Sequence, residues 1–201
     1  MDTRQPDQTR TRLLEAALAE IHRHGFQAAS IAKILADTGF TKGALYHHFP
    51  DKKALGLAVI EEVIRPAFAA EFFAPLRTAE SPLAAMRAFL LHKRETMSEA
   101  EVLLGCPINN LMQEMSPLDV DFRAALNRLV QEWRETVREA LERARGLQEA
   151  RAEIDPEEAA LFIVASVWGC IGVAKNLQSL DTFRACLGQL AGYLDTLTHK
   201  T

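Results

Sequence analysis

The chain has 201 residues, of which 48% are hydrophobic and 25% charged, and its 23 Lys and Arg against 27 Asp and Glu give a net charge of −4. This composition is typical of a soluble globular protein, and the length suffices to bury a core without disulfides or a structural metal. Three cysteines without CxxC spacing predict neither a disulfide framework nor a zinc site. The first twelve residues are polar, so we expect no signal peptide and a cytoplasmic location.

The charge is distributed unevenly along the chain. Residues 1–53 hold eight Lys and Arg against six Asp and Glu, a local charge of +2, and four of the six histidines. The remaining residues hold fifteen against twenty-one, a local charge of −6. We therefore predict two domains with different partners, residues 1–53 and residues 54–201.

Apolar residues recur with helical periodicity along almost the whole chain, and no segment alternates convincingly between apolar and polar residues. The predicted fold class is all-α, with about nine helices. The first helix ends at Gly25, the second begins at Ser30, and the third runs from Thr41 to Pro50. A fourth helix, capped by Asp51, connects the two domains.

Three later helices are predicted from a cap residue followed by proline, the pattern favoured at a first helical turn. They begin at Ser81-Pro82, Ser116-Pro117 and Asp155-Pro156, and the second of them is expected to reach about Arg145. A last helix is predicted from about Asp181 to Thr198.

The segment Ala159 to Ala174 carries no charge, so a membrane span has to be considered. It is shorter than the roughly 20 residues that a bilayer requires, and no basic cluster flanks it. We therefore expect no membrane partner, and predict a helix buried on all sides against its own domain and a second copy of the chain. Small residues would let two such helices approach closely: Ala165, Ser166, Gly169 and Gly172.

Between Ser30 and His48, two short predicted helices flank a glycine turn, which is a helix-turn-helix pattern. The sequence GFTKGALYHHFPDKKAL, from Gly39 to Leu55, closely resembles the DNA-binding signature of the TetR family of bacterial transcriptional regulators. The resemblance covers about residues 10–57 with specific motifs and the remainder more loosely. It implies a nucleoid-associated homodimeric repressor that binds a double-stranded DNA operator, is released by a small-molecule inducer and needs no cofactor.

The residues of the third helix suit contact with DNA. Gly43 lets the helix approach the duplex closely, and the small Ala44 leaves room for a thymine methyl group. Tyr46 could donate to a phosphate oxygen or, alternatively, be a packed aromatic. The predicted DNA-binding set is Ser30, Thr41, Lys42, Gly43, Ala44, Tyr46, His47 and Lys52, of which Ser30 comes from the family resemblance.

Other residues of this segment are interpreted as structural. His48 and Phe49 are predicted to pack the third helix against its neighbours, and Lys53 to be a solvated charge. Leu35 and Phe40 stand where the family commonly has alanine and valine, which leaves the tilt of the third helix open.

The resemblance implies that the C-terminal helices form a dimer and a ligand pocket. A dimer with two-fold symmetry predicts a palindromic operator. The predicted interface is a four-helix arrangement that contains Phe162, Ala165, Ser166, Gly169, Gly172, Phe183, Leu187, Leu190 and Leu194.

The stretch from Leu103 to Pro117 places amide side chains among apolar residues, which indicates either a polar edge or a pocket wall. Cys106 precedes a helix start, where the dipole would lower its thiol pKa, so it is interpreted either as a sensor of electrophiles or as an inert buried cysteine. Resemblance to electrophile-responsive family members adds Lys175. The predicted ligand or sensor set is Phe89, Cys106, Asn109, Asn110, Met112, Gln113, Trp168 and Lys175.

Two functions of other classes compete with DNA binding. One is a small helical enzyme with Cys106 as nucleophile and His92 as base, although no acyl-transfer signature surrounds the cysteine and the helix-turn-helix would be unexplained. The other is a helical interaction module that does not bind DNA. We expect no catalytic site. We also expect no metal site, because the adjacent side chains of His47 and His48 would point about 100° apart on a helix and could not readily bind one ion.

Overall fold

The computed structural model describes residues 4–198. Within them the chain is all-α, as predicted, and extended segments meet only at an isolated antiparallel bridge between Ala150 and Thr198. The helices are α1 (Arg4–His24), α2 (Ile31–Thr38), α3 (Lys42–His48), the composite α4, α5 (Pro82–Thr96), α6 (Glu99–Leu104), α7 (Pro107–Met115), α8 (Val120–Gly146), α9 (Pro156–Leu177) and α10 (Leu180–Leu197).

Helix α4 covers residues 52–78 and contains two prolines, Pro66 and Pro75. A proline has no N–H to donate, and its ring crowds the preceding turn. A π-helical segment precedes each proline, and the wider π turn shifts the hydrogen-bond register so that the helix continues. The successive segments are Lys52–Ala58, π-helical Val59–Ile64, Arg65–Phe68, π-helical Ala69–Phe73 and Ala74–Thr78.

The chain folds as two compact units. The first comprises the residues up to Ala67 together with Asn110–Asn127, and the second comprises Phe68–Asn109 and the chain from Arg128 onward. The first unit therefore contains, besides residues 1–53, the start of α4, most of α7 and the start of α8. We call these two parts the first unit and the second unit.

Side-chain caps begin the helices of the first unit where the sequence predicts them. The Thr41 hydroxyl accepts from the backbone N–H of Ala44 at 3.2 Å, and the Asp51 carboxylate accepts from that of Ala54 at 2.7 Å. These bonds satisfy N–H groups that a first helical turn leaves unpaired. The core below the helices includes Leu13, Leu14, Ala17, Ile21, Ile34, Leu45, Phe49 and Leu55.

Two helix starts in the second half of the chain test the prediction that a cap residue followed by proline begins a helix. Asp155 accepts from the N–H groups of Glu157 and Glu158, so α9 starts as predicted. Helix α8 starts at Val120 instead of Ser116-Pro117, so the predicted start was wrong. The carboxylate of Asp119 accepts from two N–H groups of the first turn and is the stronger cap.

Candidate functional site

Helices α2 and α3 form a helix-turn-helix. Gly39 adopts φ +73° at the end of α2, and its N–H bonds to the carbonyl of Leu35 at 2.8 Å, so the chain reverses in two residues. Leu35 of α2 and Leu45 of α3 are both buried. The Phe40 ring lies 4.9 Å from the Arg12 guanidinium carbon, so the aromatic residue in the turn packs against α1. Both departures from the family pattern are accommodated within the apolar packing.

One face of α3 is exposed and polar. Lys42, Gly43, Tyr46 and His47 recur at the three- and four-residue spacing of one helical face, and all are exposed, with Tyr46 at 47%. Ala44 is half-buried at the edge of this face. We call this surface the α3 face.

Neither the packing around Gly43 nor its backbone conformation requires a glycine. A Cβ built at this position would find only the Thr41 hydroxyl, at an ordinary 3.8 Å, and the backbone is helical without a positive φ. Glycine inside a helix costs about 1 kcal/mol relative to alanine. The residue therefore destabilises α3 slightly while leaving its outer surface bare.

Two predicted DNA-binding residues lie outside α3, at the starts of the neighbouring helices α2 and α4. They are Ser30 and Lys52, and both are half-buried. The Ser30 hydroxyl caps α2 by accepting from the N–H of Lys33 at 3.3 Å. Lys52 Nζ donates to the carbonyl of Gln27 at 2.9 Å and lies 5.0 Å from the ring centre of Phe26. Each side chain thus has a structural partner in the free protein.

Lys53 is not simply a solvated charge, so that interpretation was wrong. Its ammonium pairs with Asp119 at 2.8 Å and Asp121 at 2.6 Å. The hydrogen bonds to these carboxylates raise the pKa of Lys53, and the bond to Lys53 lowers the pKa of Asp119. Lys53 therefore ties the start of α4 to the start of α8.

The packing roles predicted for His48 and Phe49 are confirmed. Phe49 is buried, His48 is half-buried, and the Arg10 guanidinium carbon lies 4.4 Å from the Phe49 ring centre. Arg10 also donates to the carbonyl of His48 at 3.2 Å and, through Nε, to Glu62 at 2.9 Å. The hydrogen bond from Arg10 lowers the pKa of Glu62. This contact fixes the end of α3 on α1 and α4.

Glu114 of α7 makes the contact that sequence reasoning missed. Its carboxylate accepts from the backbone N–H groups of Phe26, at 2.8 Å, and Gln27, at 2.9 Å. Gly25 has φ +80°, and a Cβ there would lie 3.0 Å from Glu114 Oε2. We call this arrangement the Glu114 clamp. No local pattern signals it, because the partners are 87 and 88 residues apart.

Three predicted pocket residues meet in the second unit. Asn109 Nδ2 donates to the carbonyl of Trp168 at 3.5 Å, and Cys106 lies against the indole of Trp168. Burial raises the pKa of Cys106, although the N–H groups of Asn109 and Ile108, the Trp168 side chain and the charge of Lys93 lower it. The predicted lowering of this thiol pKa by the helix start is therefore wrong, because desolvation is the largest effect.

An aromatic cluster lies beside these residues. The ring centres of Trp133 and Trp168 are 5.1 Å apart, those of Phe68 and Trp133 4.9 Å, and those of Phe72 and the predicted Phe89 4.6 Å. Trp133 is buried, and its indole N–H finds no acceptor within residues 4–198. Trp133 was not predicted, because its place on the buried face of α8 looks like ordinary core.

The other predicted pocket residues are placed elsewhere. Asn110, Met112 and Gln113 belong to the first unit, and Gln113 is exposed. Lys175 is half-buried near the end of α9. A surface cavity of about 570 Å³ contains none of the predicted residues; it is lined by Glu142, Arg145, Gly146, Gln148, Ala150 and Ala152.

Helix α9 leaves one apolar face exposed. Leu161, Phe162, Val173 and Leu177 are each at least half exposed, with Phe162 at 52%. Ala165 and Gly169 lie exposed between them, and Ser166 and Gly172 are half-buried at its edge. We call the six exposed residues the α9 face. In the single chain, α9 is therefore buried on one side only, and the predicted burial of its other side against a second copy of the chain stays a prediction.

The predicted contribution of α10 to a dimer interface needs correction. Phe183, Leu187, Leu190 and Leu194 are buried in the core of the second unit, so they hold α10 to its own chain. The reason is that the apolar stripe of an amphipathic helix faces the nearest core. The outward face of α10 carries small and polar residues: Ala185, Gln189, Gly192 and Thr196.

By length and composition alone, α9 could cross a membrane, and about a third of its most apolar window is buried. Within the described residues, no group of three or more His, Cys, Asp or Glu side chains could hold a metal ion. His92, the base of the alternative enzyme, is exposed on α5.

Comparisons with known proteins agree with these features. The family described as bacterial regulatory proteins, tetR family, matches residues 13–59, and the tetracyclin repressor-like C-terminal domain matches residues 82–187. The chain is 30% identical to an uncharacterized HTH-type transcriptional regulator in the lacX 3' region of Lactococcus lactis, over 88% of each chain. It is 32% identical to the transcriptional regulator AcuR of Cereibacter sphaeroides, over 72% of this chain and 66% of AcuR.

A solved structure gives the same result for the fold. The crystal structure of a TetR transcriptional regulator from Chloroflexus aurantiacus superimposes with a TM-score of 0.86 at 26% identity, over 99% of this chain and 100% of that one. The family matches cover both the helix-turn-helix and the helices of the second half. The chain therefore belongs to the TetR family of bacterial regulatory proteins and is a helix-turn-helix transcriptional regulator.

Proposed function

We propose that this regulator binds its operator by inserting the α3 face into the major groove. The observation that carries the proposal is the exposed polar face of a helix whose opposite side forms the core of a helix-turn-helix. The bare backbone at Gly43 lets the helix approach base edges, and Ala44 can meet a thymine methyl group. Thr41 and Lys42 lie at the end of the helix that leads into the groove.

Phosphate contacts would come from around this face. Tyr46 and His47 carry groups that donate to phosphate oxygens. Ser30 and Lys52 stand at the starts of α2 and α4, and their present partners, a helix cap and a carbonyl, hold them in place. Residues 1–53 carry a charge of only +2, so bulk charge would contribute little to DNA affinity. The affinity would depend on a few specific side-chain contacts and on the helix-turn-helix motifs of two copies of the chain binding together.

We propose that a second copy of the chain covers the α9 face. Six exposed residues make this helix apolar over about five turns, and exposed apolar patches of this kind mark interaction sites. Ala165 and Gly169 would allow close approach of the two copies of α9. A homodimer with two-fold symmetry then implies a palindromic operator.

We propose that a small molecule binds in the second unit and releases the DNA. The aromatic cluster offers an apolar lining, and the unpaired indole N–H of Trp133 suits an acceptor group on the ligand. The raised pKa of Cys106 favours non-covalent binding over attack by a thiolate. The protein would act in the cytoplasm as a repressor and would not be an enzyme.

Helix α7 offers a path for release. It carries Asn109, which bonds to the carbonyl of Trp168, and Glu114, which clamps the turn after α1. A ligand that displaces α7 would loosen the Glu114 clamp. A coupling of about 1–3 kcal/mol would be enough for regulation.

A salt titration of DNA binding tests the proposal. A duplex would be selected from random sequence with the purified protein, and its affinity measured by fluorescence anisotropy between low and moderate salt. Affinity should fall steeply with salt, and Lys42→Ala should reduce it about tenfold and flatten the slope by about one unit if Lys42 contacts a phosphate. Lys53→Ala is the matched control, because two carboxylates already neutralise that lysine. Absence of binding to any duplex at low salt would contradict the proposal.

Ligand binding has its own readout. Both tryptophans of the chain lie in the aromatic cluster, so an apolar, acceptor-bearing ligand should change the intrinsic fluorescence. Such compounds would be titrated against the protein and then against the protein–DNA complex. A compound that changes the fluorescence without lowering DNA affinity would contradict the link between this cluster and release.

A further inference from the structure

Two cysteines meet in the hairpin of α9 and α10. The chain reverses between these helices at Gln178, in the left-handed conformation, and Ser179, the cap of α10. Cys170 lies eight residues before Gln178, and Cys186 lies seven residues after Ser179. At a rise of 1.5 Å per residue both lie about 10–12 Å from the turn, so antiparallel helices place them at the same level.

The side chains of these cysteines are in contact. Both belong to the hydrophobic cluster of the second unit, and their thiols form a side-chain hydrogen bond. Both are free thiols; Cys170 is buried and Cys186 is half-buried. The pair is therefore closed on the side of α9 and accessible to small molecules from the side of α10.

We propose that Cys170 and Cys186 form an intramolecular disulfide when the protein meets a hydroperoxide. The sequence alone does not suggest it, since the cysteines are sixteen positions apart without a motif. Proteins of the cytosol use such bonds transiently, as redox-sensitive modifications. The modification goes beyond the binding of DNA and of a ligand, and concerns residues outside both proposed sites.

The order of the two steps follows from the environment of each thiol. Burial, together with the neighbouring Cys186, raises the pKa of Cys170 to about 12, so Cys170 stays protonated at neutral pH. Cys186 is half-buried whereas Cys170 is buried, so the hydroperoxide reaches Cys186 first. Its sulfur attacks the outer oxygen of the hydroperoxide, the O–O bond breaks, and the products are a sulfenic acid at Cys186 and an alcohol after proton uptake.

The second step joins the two sulfurs. The sulfur of Cys170 attacks that of Cys186, the S–S bond forms, and hydroxide leaves with the proton of Cys170 as water. Each cysteine loses one electron, and the hydroperoxide gains two. Two thiols and one hydroperoxide thus give one disulfide, one alcohol and one water.

Mass spectrometry after treatment with hydrogen peroxide tests the proposal. Trypsin separates the three cysteines into peptides 95–123, 152–175 and 185–200. We expect the intact chain to lose two hydrogens and peptides 152–175 and 185–200 to be joined. The bond closes a loop of fifteen intervening residues, so the melting temperature should rise by about 5–10 °C and return on reduction.

Matched variants identify the pair. Cys106→Ser should form the same bond, whereas Cys170→Ser and Cys186→Ser should each prevent the loss of two hydrogens. Melting of each variant under reducing conditions shows whether it is folded, and two separate variants keep the test usable if one is not. A bond between two copies of peptide 185–200, or oxidation to sulfinic acid without cross-linking, would overturn the proposal.

Discussion

Helices α3 and α9 each bury one side in their own unit and leave the other side exposed, but the exposed sides differ in chemistry. The α3 face has a lysine, a tyrosine, a histidine and a bare glycine, whereas the α9 face has leucine, phenylalanine and valine between small residues. A polar face with an open backbone suits a groove of DNA, and an apolar face suits another protein surface. Exposure alone therefore does not identify a partner; the side chains left exposed do.

The largest expected effect is on the α9 face. Phe162→Glu places a charge on the proposed dimer contact, so we expect the chain to become monomeric. Loss of the second copy's helix-turn-helix should weaken operator binding on the order of 100-fold or more. Light scattering and fluorescence anisotropy measure the two effects, and Ala152→Glu, on an exposed loop of the same unit, is the control.

Phe162→Glu can also show that the α9 face does not bind a second copy of the chain. The side chain is 52% exposed and contacts Tyr193, at 4.8 Å between ring centres, so the fold should survive. A folded variant that stays dimeric and binds the operator normally would show that the α9 face is not the dimer contact.

A smaller effect is expected on the α3 face, where one substitution should raise the stability of the protein and weaken its binding to the operator. Gly43→Ala should stabilise the protein by about 0.5–1 kcal/mol, because alanine suits a helix and the position is open. The added methyl group should nevertheless weaken operator binding about tenfold by holding the helix away from the bases. Denaturant unfolding and fluorescence anisotropy measure these changes.

The control for Gly43 is the glycine of the turn. Gly39 has φ +73° and open space around a Cβ, so Gly39→Ala should lose roughly 1–2 kcal/mol of stability through backbone strain alone. If Gly43→Ala also destabilises the protein, the glycine has a structural role and the argument for close approach to DNA fails.

The Glu114 clamp predicts an intermediate effect on stability. In Glu114→Gln, an NH2 group replaces one of the two carboxylate oxygens, so only one of the N–H groups of Phe26 and Gln27 keeps an acceptor. Leaving one N–H unpaired should cost about 1–2 kcal/mol. Urea unfolding measures the loss, with Glu99→Gln on an exposed surface as control. Equal stability of the two variants would show that the clamp is not stabilising.

The smallest expected effect is acid sensitivity. Hydrogen bonds lower the pKa of Glu62 and of Asp119 in the folded state. Their stabilisation is therefore complete above the unfolded pKa, near 4, and is lost as the pH falls through the folded value. Both are surface pairs, so the effect should not exceed about 2–4 °C in melting temperature.

Glu62→Gln isolates one of these groups. The variant should melt below the wild type at pH 6, and the difference should shrink by pH 3. Melting curves across this range measure it, with Glu99→Gln again as control. A constant difference at all pH values would contradict a contribution from the charged carboxylate.

The helix-turn-helix could be predicted from sequence because its determinants are local. Thr41 and Asp51 cap helices within three residues of themselves, and Gly39 alone reverses the chain. The same reasoning failed at Ser116-Pro117, where a nearby aspartate is the better cap. Local signals thus show that a helix begins but do not rank adjacent caps.

The sequence by itself determined the all-α class, the helix-turn-helix and the residues of the α3 face, because spacing and caps act over a few residues. Only the tertiary structure decided which side of α10 is buried, that Glu114 clamps the turn after α1, and that Cys170 meets Cys186. It also reversed the expected pKa direction of Cys106. These features depend on distant segments and on burial, and neither is encoded in the pattern of neighbouring residues.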